Sequence, residues 1–178
     1  KTVLESQGHC ASVIDLKDKM PAPSSLKAPF VYAARIFKKL FKENSGLEVF
    51  RERRYARELP VLSSYTDAFV QEHIRPRILE SYADIKSDEY DAFVVGSDQV
   101  WRKAYTERWG IERFFLDFAP NNSRKIAYAA SFGRYDMEYN TEELLRLKKL
   151  YEQFDAVSVR EDSGISILEN QGWKNPKA

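Results

Sequence analysis

The fold class is decided by residues 91 to 101, which read DAFVVGSDQVW. Residues 92 to 95 form a short, continuous apolar run, and Gly96 follows it directly. Such a run is typical of a buried parallel strand, and the glycine allows a tight turn at the strand's end. The stretch therefore predicts a strand whose carboxyl end carries the polar residues 97 to 99.

The same strand pattern returns twice further along the chain, at residues 125 to 130 and 155 to 159. A helix is predicted between them, over residues 141 to 154, because its leucines recur at helical spacing and Asn140 or Thr141 can cap it. A second capped helix is predicted over residues 162 to 170. Alternating strands and helices favour right-handed crossovers. We therefore predict an α/β fold, a Rossmann-like doubly wound parallel sheet with helices on both faces.

The first half of the chain carries a less regular pattern. An opening helix is followed by a predicted strand over residues 11 to 16, and the prolines and serines of residues 18 to 29 indicate an irregular connection. A basic amphipathic helix is predicted from residue 30 to residue 42. A break at residues 44 to 46 separates it from another helix, which we expect Pro60 to stop.

These helices are interpreted as a helical insertion, about residues 30 to 75, in a single domain that spans residues 1 to 178. Another helix, residues 64 to 74, completes the insertion, and residues 114 to 118 are predicted to form a short edge element. A helix at the very start normally crosses over from a preceding parallel strand. We therefore expect a first strand to lie outside this chain.

Composition excludes several classes of protein. The chain has 178 residues, 43% of them hydrophobic, and its 28 basic and 27 acidic residues leave a net charge of +1, which gives no general attraction to nucleic acid. No apolar run approaches the roughly 20 residues that a membrane-spanning helix needs. The single cysteine, Cys10, can form no internal disulfide and is predicted to be a small core residue. A cytoplasmic location is the expectation.

Ligands of open parallel sheets bind at the carboxyl ends of the strands, where loops and helix N-termini converge. Three predicted strand ends carry polar residues, and Trp101 adds a flat apolar face. The candidate substrate-binding residues are Gly96, Ser97, Asp98, Gln99, Trp101, Ser131, Phe132, Gly133, Arg160 and Glu161. Glycine, serine and aspartate are also favoured at such turns for backbone reasons alone. Arg160 can hold an anion or form an internal ion pair, and the pattern leaves both open.

Four ordered motifs resemble the polysaccharide pyruvyl transferase family. They are YDAFVVGSDQVW at 90 to 101, FLDF at 115 to 118, IAYAASFG at 126 to 133 and SVRE at 158 to 161. The opening LESQGH is also similar to the first helix of that family. The resemblance implies the N-terminal domain of a two-domain, glycosyltransferase-B-like bacterial enzyme, with its first strand and its C-terminal domain outside this chain.

The activity that the resemblance implies is transfer from phosphoenolpyruvate to a sugar, which forms a pyruvate ketal on a surface polysaccharide or its lipid-linked precursor. Phosphoenolpyruvate is the donor substrate, and no cofactor or metal is expected. The expected partners are a sugar or lipid-linked oligosaccharide acceptor and the C-terminal domain. The catalytic acid and base are expected outside this chain, since His9 and His73 belong to no matched motif, so the isolated chain is predicted to be inactive.

Two other functions remain open at this stage. The same fold would serve a nucleotide-sugar glycosyltransferase, and a domain without catalysis could serve protein or membrane contact. A separate hypothesis places the helix of residues 30 to 42 in peripheral contact with the inner face of the membrane, because one of its faces is basic and the other aromatic. An amphipathic helix that packs on its own domain explains the same pattern.

Overall fold

The computed structural model divides into two compact units, residues 1 to 81 and residues 82 to 178. The structure describes residues 1–16, 27–41, 48–173 and 176–177. Two prolines of the predicted irregular connection, Pro21 and Pro23, and the predicted helix break at residues 44 to 46 lie outside these described residues. The third, Pro29, lies in the first turn of the helix Ala28–Phe41, so the connection ends earlier than predicted. The prediction of a single domain from residue 1 to residue 178 stays a prediction.

The first unit contains a pair of short parallel strands and a group of helices. Its elements are α1 (Thr2–Ser6), β1 (Ile14–Leu16), α2 (Ala28–Phe41), α3 (Arg51–Leu62), α4 (Ser64–Phe69) and β2 (Arg77–Leu79). Strand β1 pairs with β2 in parallel, from Ile14 opposite Arg77 to Leu16 opposite Leu79. A π-helical turn, Val70–Ile74, extends α4 and ends where Arg75 adopts a left-handed conformation with φ 50°.

Three details of this unit differ from the sequence prediction. Pro60 lies inside α3, which continues to Leu62, because a proline removes one N–H donor without forcing every later residue out of the helix. Strand β2 was not predicted, since three residues are too few to show an alternating pattern. Cys10 is exposed, so its prediction as a core residue is wrong.

The second unit contains a four-stranded parallel sheet in the order β3-β4-β5-β6. Its elements are β3 (Ala92–Val95), α5 (Lys103–Thr106), β4 (Arg124–Ala130), α6 (Thr141–Tyr151), β5 (Ala156–Val159), α7 (Asp162–Asn170) and β6 (Pro176–Lys177). Short 3₁₀ turns occupy Tyr82–Asp84, Glu107–Trp109 and Ile111–Phe115. Parallel strands alternate with helices in the order that the sequence predicts. The fold class, Rossmann-like α/β with parallel sheets flanked by helices, is confirmed.

Helix α6 begins with the predicted cap. The Asn140 side chain accepts a hydrogen bond from the backbone N–H of Glu143 at 2.9 Å, and the Glu143 carboxylate accepts one from the Asn140 N–H at 2.8 Å. This reciprocal pair satisfies two of the N–H groups that a helix start leaves without a helical partner. The cap therefore fixes where the chain enters α6 after the loop that follows β4.

The core of the second unit is aromatic. Trp101 is 1% exposed, and its ring stacks on Phe115 with the ring centres 5.1 Å apart. The Trp101 indole N–H donates to the Phe114 carbonyl oxygen at 2.9 Å, and the buried Tyr139 hydroxyl donates to the Trp101 carbonyl oxygen at 2.7 Å. Burial raises the pKa of Tyr139. The indole and this phenol are therefore hydrogen-bonded inside the core, which avoids the cost of buried polar groups without partners.

The predicted short edge element at residues 114 to 118 does not pair with the sheet of the second unit. The chain forms a 3₁₀ turn over Ile111–Phe115, and Leu116 follows in a left-handed conformation with φ 55°. This conformation cannot continue a strand. The turn buries Phe115 and Leu116 together, whereas a strand would direct successive side chains to opposite faces.

The two faces of the sheet are not equally buried. Phe93 of β3 and Ala127 of β4 are buried in the second unit. Val94 and Tyr128, which alternate with them and lie on the other face, are 45% and 60% exposed. In the described structure β3 is therefore buried on one face, although its continuous apolar run is typical of a strand covered on both.

Candidate functional site at the carboxyl edge of the sheet

The structure brings the predicted strand ends together. The backbone N–H of Ser131, which follows β4, donates to the Asp98 carbonyl oxygen at 3.0 Å, and the N–H of Trp101 donates to the Ser131 carbonyl oxygen at 3.1 Å. The Arg160 N–H, after β5, donates to the carbonyl oxygen of Ala130 at 3.1 Å. Three loops thus meet at one edge of the sheet, as expected for carboxyl ends of parallel strands.

Arg160 lies at the centre of the polar contacts at this edge. Its Nε donates to Glu161 Oε1 at 2.7 Å, its Nη1 contacts Asp98 Oδ1 at 3.3 Å, and its Nη2 contacts Ser131 Oγ at 3.3 Å. The hydrogen bond to Glu161 raises the pKa of Arg160 above its already high ordinary value. The guanidinium is therefore charged at neutral pH, and the internal ion pair that the sequence left open is present.

Ser131 connects this arginine to the neighbouring loop. Its side chain is fully buried, and its Oγ donates to Glu161 Oε1 at 3.0 Å. The same oxygen accepts a hydrogen bond from the Gly133 N–H at 2.9 Å in addition to the Arg160 contact. A hydroxyl offers one proton and two lone pairs, and here all three are used. Ser131 therefore fixes the position of the loop relative to Arg160 and Glu161.

Gly133 and Gln99 form a close contact beside this network. Gly133 has φ 62°, and a Cβ at this position would overlap the Gln99 side chain. Gln99 Oε1 in turn accepts a hydrogen bond from Arg102 Nη1 at 2.8 Å. Arg102 was not among the predicted site residues; its position three residues after Gln99 is the only sequence signal that could have indicated it. The positive φ favours glycine here, and a larger residue would have to displace the Gln99 side chain.

Gly96 plays a similar part at the end of β3. Its φ is 134°, and a Cβ at this position would overlap the carbonyl oxygen of Tyr128 in β4. The peptide that joins Gly96 to Ser97 is cis, and Ser97 is exposed at the start of the loop. The backbones of β3 and β4 therefore approach each other here in a way that only glycine permits.

Two of the predicted site residues belong to the core instead. Trp101 is stacked on Phe115 as described above, and Phe132 is also buried, with its ring 5.4 Å from that of Trp101. Neither side chain presents the flat apolar surface that the sequence predicts for Trp101. Their backbones lie in the loops of the edge, whereas their rings anchor those loops to the core.

The second unit, which holds this edge, contains no histidine. Both histidines, His9 and His73, lie in the first unit and are exposed, as predicted for surface residues. Among the residues that the structure describes, no group of three or more histidine, cysteine, aspartate or glutamate side chains could hold a metal ion. The chemistry of the edge is therefore that of hydrogen-bond donors, carboxylates and a central guanidinium.

The fold and this edge together define a Rossmann-like α/β protein with polar side chains grouped at the carboxyl ends of its parallel strands. A family model described as polysaccharide pyruvyl transferase matches residues 3–178, the whole of the chain apart from its first two residues. The chain belongs to the polysaccharide pyruvyl transferase family. No curated protein and no solved structure is significantly similar to it.

Proposed function

We propose that the chain provides the phosphoenolpyruvate-binding edge of a pyruvyl transferase, which places a pyruvate ketal on a sugar of a surface polysaccharide or its lipid-linked precursor. Membership of the family supports the class of reaction. The observation that carries the proposal is the position of Arg160, where three strand ends meet. The hydrogen bond of its Nε is short, whereas the contacts of its Nη1 and Nη2 are longer.

Glu161 holds the Nε side of the Arg160 guanidinium, whereas Asp98, on the Nη side, can be replaced by a ligand. Glu161 accepts a short hydrogen bond of 2.7 Å from Nε, whereas the contacts of Nη1 and Nη2 are both 3.3 Å long. The Asp98 side chain is 84% exposed, so it can leave Nη1 for water. Exposed ion pairs of this kind contribute little to stability. A substrate carboxylate or phosphate can therefore replace Asp98 on the arginine fork, while Glu161 acts as a positioning residue.

Ketal formation makes demands that this edge meets only in part. The donor's carboxylate and phosphate need cationic groups, the enol carbon must be protonated, and the sugar hydroxyls need a base. Arg160 meets the first demand. In this proposal the general acid and base lie outside the edge.

Ligand-dependent melting tests the proposal. Phosphoenolpyruvate is expected to raise the melting temperature of the protein, since a ligand that binds only the folded state adds about 2.7 kcal/mol of stability at 100 times its dissociation constant. A nucleotide sugar at the same concentration is expected to leave the melting temperature unchanged. Stabilisation by the nucleotide sugar alone would instead support a glycosyltransferase, and stabilisation by neither would support a domain without catalysis.

A further inference from the structure

Helix α2 exposes the side of its surface that is usually buried. Phe30, Phe37 and Leu40 recur at a spacing of seven and three residues, which places them on one face of a helix. Phe30 is 77% exposed and Leu40 is 74% exposed, and Ile36 is exposed as well. Within the described residues, the apolar face of α2 is thus largely exposed.

The opposite face of α2 makes the internal contacts. Arg35 forms a two-pronged ion pair with Glu52, with both N–O distances 2.9 Å, and also donates to the carbonyl oxygen of Val49 at 3.0 Å. The ring of Tyr32 lies 5.1 Å from that of Phe50. Arg35 and Tyr32 therefore attach α2 to the start of α3, and this attachment directs the apolar face outward.

The charge of the chain is concentrated around this helix. Residues 27 to 62 contain nine lysines and arginines against four glutamates, a net charge of +5, in a chain whose total is +1. Helix α2 itself contains no acidic residue, and Lys38 and Lys39 are exposed in its last turn. Two of the nine, Arg53 and Arg57, are exposed on α3. An apolar face beside a group of basic side chains is typical of a helix that lies on an anionic bilayer.

We propose that α2 binds the surface of an anionic phospholipid bilayer, with its apolar face among the upper acyl chains and its lysines at the phosphate headgroups. In the described part of the chain no helix is long and apolar enough to cross a membrane. The 14 residues of α2 extend only about 21 Å, against about 30 Å for the hydrocarbon core. The helix therefore lies along the surface.

The positive charge around α2 favours a bilayer over a second copy of this chain as the surface that contacts its apolar face. A second copy would bring another segment of +5 to the same face, and like charges oppose that contact. Anionic headgroups attract it instead. The proposal rests on α2 and its neighbours alone, so its failure would leave the proposed donor site unaffected.

Co-sedimentation with vesicles tests the proposal. The wild-type protein is expected to pellet with vesicles of phosphatidylglycerol and phosphatidylcholine, and not with vesicles of phosphatidylcholine alone. Lys38→Glu/Lys39→Glu should lower the partition coefficient at least about tenfold, because each lysine near an anionic surface contributes to binding. Lys148→Glu/Lys149→Glu is the matched control, since these neighbouring lysines occupy the last turn of α6 and carry the same charge change. The control should pellet like the wild type.

A second measurement reports insertion directly. All three native tryptophans lie in the second unit, so Leu40→Trp adds a reporter on the exposed face of α2. Its emission is expected to shift to shorter wavelength with anionic vesicles and to be quenched by brominated acyl chains. Three results would each overturn the proposal: equal pelleting of the two double-lysine variants, an introduced indole that brominated chains leave unquenched, or a stable lipid-free dimer that Leu40→Trp disrupts. Circular dichroism melts confirm that the variants are folded.

Discussion

Replacing Gly96 with alanine is expected to lower the free energy of unfolding of the second unit by at least about 3 kcal/mol. Two costs add. The backbone at Gly96 has φ 134°, which residues with a side chain rarely adopt, and the new Cβ would overlap the carbonyl oxygen of Tyr128 in the neighbouring strand. A backbone oxygen held in a sheet cannot move aside as a flexible side chain can. Urea denaturation followed by tryptophan fluorescence measures this, because all three tryptophans lie in this unit.

Gly110→Ala is the matched control for that measurement. Gly110 also has a positive φ, 87°, but the nearest atom to its added Cβ is the flexible Arg113 Nε at 3.7 Å. This variant therefore carries the conformational cost alone, about 1 to 2 kcal/mol. If Gly96→Ala were no less stable than Gly110→Ala, the close approach of β3 and β4 at Gly96 would be contradicted.

Replacing Arg160 with lysine is expected to weaken the binding of phosphoenolpyruvate by about 10- to 100-fold. Lysine keeps the positive charge but cannot hold Glu161 through one nitrogen and present two others to an anion, as Arg160 does. The melting temperature should change little, because exposed ion pairs contribute little to stability and the Arg160 side chain is 43% exposed. Calorimetric titration measures the binding, and a thermal melt measures the stability.

Arg134→Lys is the control for this second variant. Arg134 has the same side-chain exposure, 43%, and a comparable pair with Asp136 at 2.8 Å, but it makes none of the described contacts to Asp98, Ser131 or Glu161. It should bind phosphoenolpyruvate like the wild type. An Arg160→Lys protein that melts early yet binds the donor normally would show that Arg160 is a structural ion-pair residue, the alternative that the sequence left open.

The parts of the fold that could be predicted from sequence are those with local causes. The apolar runs at β3, β4 and β5 and the capping pair Asn140 and Glu143 depend on residues close together in the chain, and the structure has each of them. Strand β2 and the 3₁₀ turn Ile111–Phe115 depend on partners far away in sequence. The ring of Phe115 is stacked on that of Trp101, and no local sequence pattern reveals this contact.

The candidate site shows the same division. The carboxyl ends of neighbouring parallel strands lie at the same edge of a sheet. Asp98, Ser131 and Arg160, which follow three such strands, could therefore be predicted to lie close together. Which of their neighbours face a ligand could not be predicted. Trp101 follows a polar loop in the sequence just as a ligand-stacking aromatic would, and only the packing of the unit shows that it is buried. Arg102 was missed because its contact with Gln99 depends on the turn between them.

The crystal structure of the protein with bound phosphoenolpyruvate tests the central claim most directly. The donor's carboxylate or phosphate is expected within about 3 Å of Arg160 Nη1 and Nη2, with the Asp98 side chain moved away and Glu161 still on Nε. A donor bound away from this edge, with Arg160 still paired to Asp98, would contradict the account.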